Sequence, residues 1–305
     1  MHSTEAPFRP PRLALAVLLA SGLWLSTARA VGLSDTGQDF CYNGAGGLAS
    51  CTEANSGDAY SSYPRQDGRF GRDAKATAGT LTKVGGGAAG FDYTKVSNSG
   101  TDLPASAILG AAPSDWACTR DNVTGLTWEV KVADGGLRDW TSLYMWHSDD
   151  TATNGGYPGA LHYNYYPYNP PGGECKYTLQ DCNTATFVAA VNSAKLCSHA
   201  DWRLPSYREL LTLVHYGASA PAVEANYFPN TAAAAPQAYA PPDCYLSATS
   251  NVEELSGYSG EQWALSVCFH EGTTTRTPKY QGLPAPDSTV WYFTGHVRLV
   301  RGPRL

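Results

Sequence analysis

Eleven residues, Asp201-Trp-Arg-Leu-Pro-Ser-Tyr-Arg-Glu-Leu-Leu211, set how the rest of this 305-residue chain is to be read. Pro205 lacks a backbone N–H and steers Leu204 away from helical angles, so it makes a rigid entry rather than helix interior. Ser206 can accept from the N–H three residues on, and the Glu209 carboxylate can reach back to the Ser206 N–H. That reciprocal pair is a capping box, and the apolar run Leu210, Leu211, Leu213, Val214 follows it at helical spacing. Trp202 and Leu204 stand on the entry, where one packs under the first helical turn as a staple. Arg203 and Arg208 call for carboxylate or carbonyl partners from elsewhere in the chain. The stretch is a structural keystone and carries no catalytic group.

Just upstream, Thr184 is expected to cap a helix over about 185–195, with Phe187, Val188, Val191 and Ala194 along one face. Further back, Asp121-Asn-Val-Thr-Gly125 is turn chemistry and includes the sequon Asn122-Val-Thr124. It leads into Leu126-Thr-Trp128-Glu-Val130-Lys-Val132, whose alternation predicts a half-buried strand. Downstream, the Ala/Pro-rich stretch 219–242 reads as a long surface loop. Trp263, Leu265, Val267 and Phe269 then alternate as a strand. Two more strand candidates, Val290 to Phe293 and His296 to Arg301, flank Thr294-Gly295, a two-residue hairpin signal. Residues 31–115 hold too little apolar matter for a core of their own, so they are read as a loop- and strand-rich extension before a domain over 116–305.

The chain opens with Arg9 and Arg12, an apolar run from Leu13 to Leu25, and Ala28-Arg29-Ala30. That pattern is a secretory signal peptide over 1–30, and its apolar run is too short for a membrane span. Losing Arg9, Arg12 and Arg29 against Glu5 takes the formal charge from −6 to −8. An acidic chain is a poor general nucleic-acid binder, although Arg298, Arg301 and Arg304 cluster near the end. The expected location is outside the cytoplasm: periplasmic, extracellular or cell-surface.

Eight cysteines, an even number in an exported chain, read as four disulfides, and no two stand closer than seven residues, which disfavours zinc. Nearness favours Cys41–Cys51, Cys175–Cys182 and Cys244–Cys268, leaving Cys118–Cys197, although spacing alone does not fix connectivity.

From 140 to 173 the chain is an aromatic loop. Trp140, Tyr144, Trp146, Tyr163, Tyr165, Tyr166 and Tyr168 are the candidate ligand contacts, since flat faces with polar handles stack on sugars or form protein hot spots. Four of them fall within Tyr163–Tyr168 beside Pro167, Pro170 and Pro171, which stiffen the loop. Asp149, Asp150 and Asn154 suggest an irregular calcium site. The EF-hand pattern fails at Ala152 and Leu161, and solvated loop carboxylates are the alternative. No cofactor is expected.

Three pieces, Arg120-Asp-Asn-Val-Thr-Gly-Leu-Thr-Trp128-Glu, Asp201-Trp-Arg-Leu-Pro-Ser-Tyr-Arg-Glu-Leu210 and Val297-Arg-Leu-Val-Arg301, occur in that order over roughly Cys118 to Arg301. In them the chain resembles a bacterial family of exported domains typified by the C-terminal domain of the Legionella collagen-like adhesin. Asp35-Thr-Gly-Gln38 with Cys41-Tyr42 is similar to a preamble of some members. The Arg-Leu-Pro and terminal Val-Arg pieces also resemble formylglycine-generating and C-type-lectin-like folds. That likeness implies an α+β body, loop-rich and disulfide-stapled, with two helices packed on small twisted antiparallel sheets. Trp128, Trp202, Arg203, Pro205, Ser206, Glu209, Arg298 and Arg301 are then structural. The chain departs from the family at Leu299, where members often carry Cys, and at Tyr245-Leu246-Ser247 in place of Tyr-Trp-Ser.

The resulting functional expectation is a secreted or surface binding module, adhesin-like, with a glycan or a surface protein as partner. A formylglycine-generating type of enzyme would need a reactive thiol, and eight pairable cysteines leave none. His-Glu-x-x-His and Gly-x-Ser-x-Gly are both missing from the sequence. The third expectation is a structural part of an envelope or pilus assembly.

Overall fold

The computed structural model describes residues 32, 34–42, 48–51, 65–159, 175, 182–234, 243–251, 263–279 and 294–305. Residues 1–30, where a signal peptide is expected, lie outside these residues. From Val31 to Leu305 the chain forms one compact unit. The expected architecture, α+β with few helices and small antiparallel sheets, is what the chain adopts.

The largest sheet has five strands: β3 (Tyr93–Ser97), β4 (Asp102–Leu103), β5 (Trp116–Asp121), β6 (Thr127–Glu129) and β12 (Val300–Arg301), in the order β12-β6-β5-β3-β4. A second sheet is built from β8 (Cys244–Asn251), β9 (Trp263–Cys268) and β10 (Thr273–Pro278), in the order β10-β9-β8. Among the described residues two further pairs form: β1 (Phe40–Tyr42) with β2 (Leu48–Ser50), and β7 (Tyr144–Met145) with β11 (Thr294–Gly295). The α-helices among the described residues are α1 (Gly71–Thr77), α2 (Thr184–Ser193) and α3 (Tyr207–Leu211).

Register explains how the five-stranded sheet divides the core. Val96 pairs with Cys118 and Cys118 with Glu129, so these three share one face. Lys95, Thr119, Trp128 and Val300 share the other. On the Trp128 face lies a cluster of Tyr93, Leu126, Leu210, Phe228, Tyr245 and Phe269. On the Cys118 face lies a second, with Tyr144, Trp146, Phe187, Val191, Trp202 and Leu299. The extension therefore does more than precede the domain: β3 is paired between β4 and β5 in the body's main sheet.

Several expectations change at this level. Residues 126–132 alternate in sequence but are buried on both sides, because packed elements cover both faces of the sheet. Glu129 and Lys131, the polar half of the alternation, instead form a dry ion pair at 2.8 Å. The described part of the 219–242 stretch is not a surface loop, since Ala222 is buried and Val223, Tyr227, Phe228 and Ala232 belong to the first cluster; 235–242 lies outside the described residues. Thr294-Gly295 is strand rather than hairpin turn. A Cβ at Gly295 would stand 2.8 Å from Leu246, so only glycine fits that approach. Of the flanking strand candidates, β12 forms the last two residues, and Val290 to Phe293 lie outside the description.

The four disulfides are Cys41–Cys51, Cys118–Cys197, Cys175–Cys182 and Cys244–Cys268. Three are the pairs that nearness favoured, and Cys118–Cys197, 79 residues apart in sequence, is the pair that remained.

Candidate functional site

The keystone folds as its sequence dictates. Ser206 accepts from the Glu209 N–H at 3.2 Å, and Glu209 Oε2 accepts from the Ser206 N–H at 2.7 Å. Arg203 finds its carboxylate only six residues on, not across the chain: its guanidinium donates twice to Glu209, at 2.8 and 2.7 Å. Burial pushes the Glu209 carboxyl up, but Arg203 and the Ser206 N–H outweigh it and hold the group below the usual range. Trp202 is buried and donates its indole N–H to the Leu196 carbonyl at 3.0 Å. Arg301 pairs with Asp201 at 2.7 Å and is half-buried, and Arg298 is 1 % exposed, so of the three arginines of the predicted basic end Arg304 is the most exposed. His215 lies beyond the end of α3 and packs on Phe91, with ring centres 5.2 Å apart.

Next to the keystone runs α2. Its cap is Asn183 rather than Thr184, with the Asn183 side chain accepting from the Thr186 N–H at 2.9 Å. Thr184 is thereby free to bind the neighbouring loop. Its hydroxyl accepts from the His147 N–H at 2.9 Å and donates to the His147 carbonyl at 2.7 Å. The Asn122 amide of the sequon is similarly occupied, donating to Asp92 and to Thr94 at 2.9 Å each.

The base of the aromatic loop is rigid. Trp146 donates its indole N–H to the Ser247 carbonyl at 2.8 Å, and the Lys279 ammonium sits 4.2 Å over its ring. Lys279, itself buried, donates to the Asn154 carbonyl at 2.8 Å and to the Ser250 hydroxyl at 2.6 Å. One lysine thus ties 146–154 to β8. Tyr144 packs its ring 4.7 Å from Phe187, and burial raises its phenol pKa. Tyr144 and Trp146 are therefore corrected from ligand contacts to core side chains, at 0 and 1 % exposure, because both rings are already covered. Trp140 is half-buried against the first cluster. Tyr163, Tyr165, Tyr166 and Tyr168 lie outside the described residues.

The calcium candidates are engaged in the loop's own turn. Asp150 accepts from the Ala152 N–H at 3.0 Å and the Thr153 hydroxyl at 2.8 Å. Asn154 accepts from the Gly156 N–H at 2.9 Å, and Asp149 meets His147 Nε2 at 3.1 Å. The carboxylates that do converge among the described residues are Asp35, Asp67 and Asp73, whose ligand atoms lie within 4.8 Å of one another. Burial first, then the neighbouring carboxylates Asp35 and Asp67, raise the Asp73 pKa, against a hydrogen bond from the Gly90 N–H at 2.6 Å. The sequence signal for them was the Asp35-Thr-Gly-Gln38 preamble, which carries no metal-ligand spacing.

Between α2 and the keystone lies an open cleft of about 490 Å³. Ala185, Val188 and Ala189 of α2 face Leu204 and Ala248 across it. His147, Asp149, Asp150, Arg203 and Arg304 also line it. Asp150 is drawn down first by the Thr153 hydroxyl and the Ala152 N–H and also by the charge of Arg304. Such a volume falls in the range of small-ligand sites, roughly 300–1,000 Å³.

A disulfide-stapled α+β module with an open cleft beside a pinned loop is the class that this geometry defines. Residues 117–286 match the model of the Lcl C-terminal domain, and the chain belongs to that family. The matched span stops short of the folded unit, since β3 before it and β12 after it lie in the same sheet. No curated protein and no solved structure matches the chain. Among the described residues, no helix is long and apolar enough to cross a membrane.

Proposed function

We propose that the protein is an exported, surface-exposed binding module of adhesin type, whose contact surface is the tyrosine-rich segment Tyr163–Tyr168. The observation that carries this reading is membership of the Lcl C-terminal domain family. Four disulfides support it, since such bonds persist in oxidising compartments outside the cytosol. The leader-like stretch 1–30 supports export in the same sense. Four tyrosines in six residues, held beside prolines, offer stacking faces at low entropic cost. Described residues on either side of that segment are firmly anchored: Gly159 bridges His147, and Cys175 is bonded to Cys182. The body is proposed to be C-type-lectin-like, with the partner a glycan or a surface protein.

Binding rather than catalysis is the reading the cysteines favour. A formylglycine-generating activity needs a reactive thiol, and all eight cysteines are paired. Probing a glycan array with the secreted protein tests the proposal. Saturable retention on a defined set of sugars is the expected result. Retention on no sugar, together with no surface-protein partner in cross-linking on intact cells, would sink it.

A further inference from the structure

The cleft beside α2 carries a ligand chemistry of its own. Its floor is apolar and built from small or branched side chains: Ala185, Val188, Ala189, Leu204 and Ala248. Two carboxylates of the 147–153 turn, Asp149 and Asp150, line the cleft as well, and the Asp149 side chain is 86 % exposed. Of the two guanidinium groups lining the cleft, Arg203 is committed to Glu209 through two short bonds. Arg304 alone remains against two carboxylates, so the mouth is net acidic.

His147 points the same way. It lines the cleft and its ring is almost wholly buried, with Nε2 on Asp149 and Nδ1 without any hydrogen-bond partner. With Nε2 donating to the carboxylate, Nδ1 is an acceptor lacking a donor. Nδ1 itself is sealed from solvent, so the acceptors open to a ligand are the carboxylates of Asp149 and Asp150, which line the cleft together with its apolar side chains. An ammonium brings three donors and no acceptor, on an apolar stem able to lie along such a floor.

We propose that this cleft receives a lysine side chain of a peptide or protein partner, its aliphatic stem on Val188 and Leu204 and its ammonium at Asp149 and Asp150. The proposal rests on the reading of the protein as a binding module, but not on where the tyrosine contact falls. An anionic ligand would meet two carboxylates against one free guanidinium, which argues against it.

The test is a backbone-amide NMR titration of the full folded chain with Nα-acetyl-lysine methylamide. Nα-acetyl-norleucine methylamide serves as the uncharged control and Nα-acetyl-glutamate methylamide as the anionic one. The lysine probe should shift the amides of 185–189 and Leu204, binding about fivefold more tightly than norleucine, as expected for exposed ion pairs. Asp149→Asn/Asp150→Asn should erase that preference. Because Asp150 also holds its own turn, Val188→Lys is the second variant. It places a tethered ammonium in the trough and should block the probe while leaving the 147–154 amides unchanged. Equal affinity for norleucine, preference for glutamate, or shifts that fall elsewhere or nowhere each overturn the proposal. A lysine probe that fails while the array still finds a glycan rejects the cleft and leaves the binding-module reading intact.

Discussion

Glu129 and Glu209 are both fully buried, yet they are held in place by different means. Glu209 draws its short bonds from its own motif, the Ser206 N–H and the Arg203 guanidinium within six residues, and the Leu305 N–H adds only a long one at 3.4 Å. Glu129 meets Lys131 at 2.8 Å and the N–H of Leu299 at 2.9 Å, a partner 170 residues away in sequence. Arg203 keeps a fifth of its side chain in solvent, whereas Lys131 keeps 3 %. The first site is a local motif that the chain can form early. The second exists only once the end of the chain has closed onto β6, and it depends on both charges being present. Arg298 adjoins it, fully buried, donating to the Thr231 hydroxyl at 2.8 Å and lying 5.1 Å over Phe228.

The largest effect expected from this contrast is at the dry pair. Glu129→Ala leaves an unpaired, buried Lys131 and should lower unfolding free energy by about 3–5 kcal/mol in urea titrations. Adding Lys131→Met should restore most of the loss, since an apolar replacement of a buried pair is near neutral. A single variant that loses less than the double would contradict the assignment. The pair also has a pH signature. Burial holds the Lys131 pKa below its ordinary value, so the unfolded chain binds the proton more strongly. Stability from this group therefore rises with pH between the depressed value and about 10.4.

The local site should respond less and at the opposite end of the scale. Glu209→Gln should cost about 2 kcal/mol, the scale of hydrogen bonds to charged groups. With its carboxyl pKa depressed, Glu209 stabilises fully above the unfolded value of about 4.3, and that stability is lost as pH falls through the folded one. Acid unfolding of Glu209→Gln should accordingly show a flatter dependence below that pH. A slope identical to that of the parent protein would mean the carboxylate is not held as described. Ser206→Ala is the smallest of these changes, about 1 kcal/mol by thermal or urea unfolding, because it removes one cap bond and leaves Arg203–Glu209 standing.

The same contrast marks what could be read beforehand. The capping box, the Trp202 entry and three of the cysteine pairs follow from short-range pattern, whereas the α+β class comes from the family resemblance. Lys131 and Glu129 look like the wet face of a strand, and nothing within seven residues says that α2 and residues 222–232 will cover both sides. Tyr144 and Trp146 were grouped with Tyr163–Tyr168 by composition alone. Their spacing of two beside β7 was the available sign that both point the same way, into the core. Arg203 was read as reaching far, when the nearest carboxylate in the same motif was enough. The cleft was not legible at all, since its floor is alanine, valine and leucine brought together from three separate segments.

Central to the proposed function is a contact with the glycan or surface protein made through the tyrosine segment Tyr163–Tyr168. The direct measurement is affinity for the array-identified ligand, compared between the parent protein and Tyr165→Ser/Tyr166→Ser/Tyr168→Ser, with melting temperature recorded on the same samples. Binding should disappear while the melting temperature stays within a few degrees. Affinity that survives the triple change in a folded protein would place the contact elsewhere and contradict the claim.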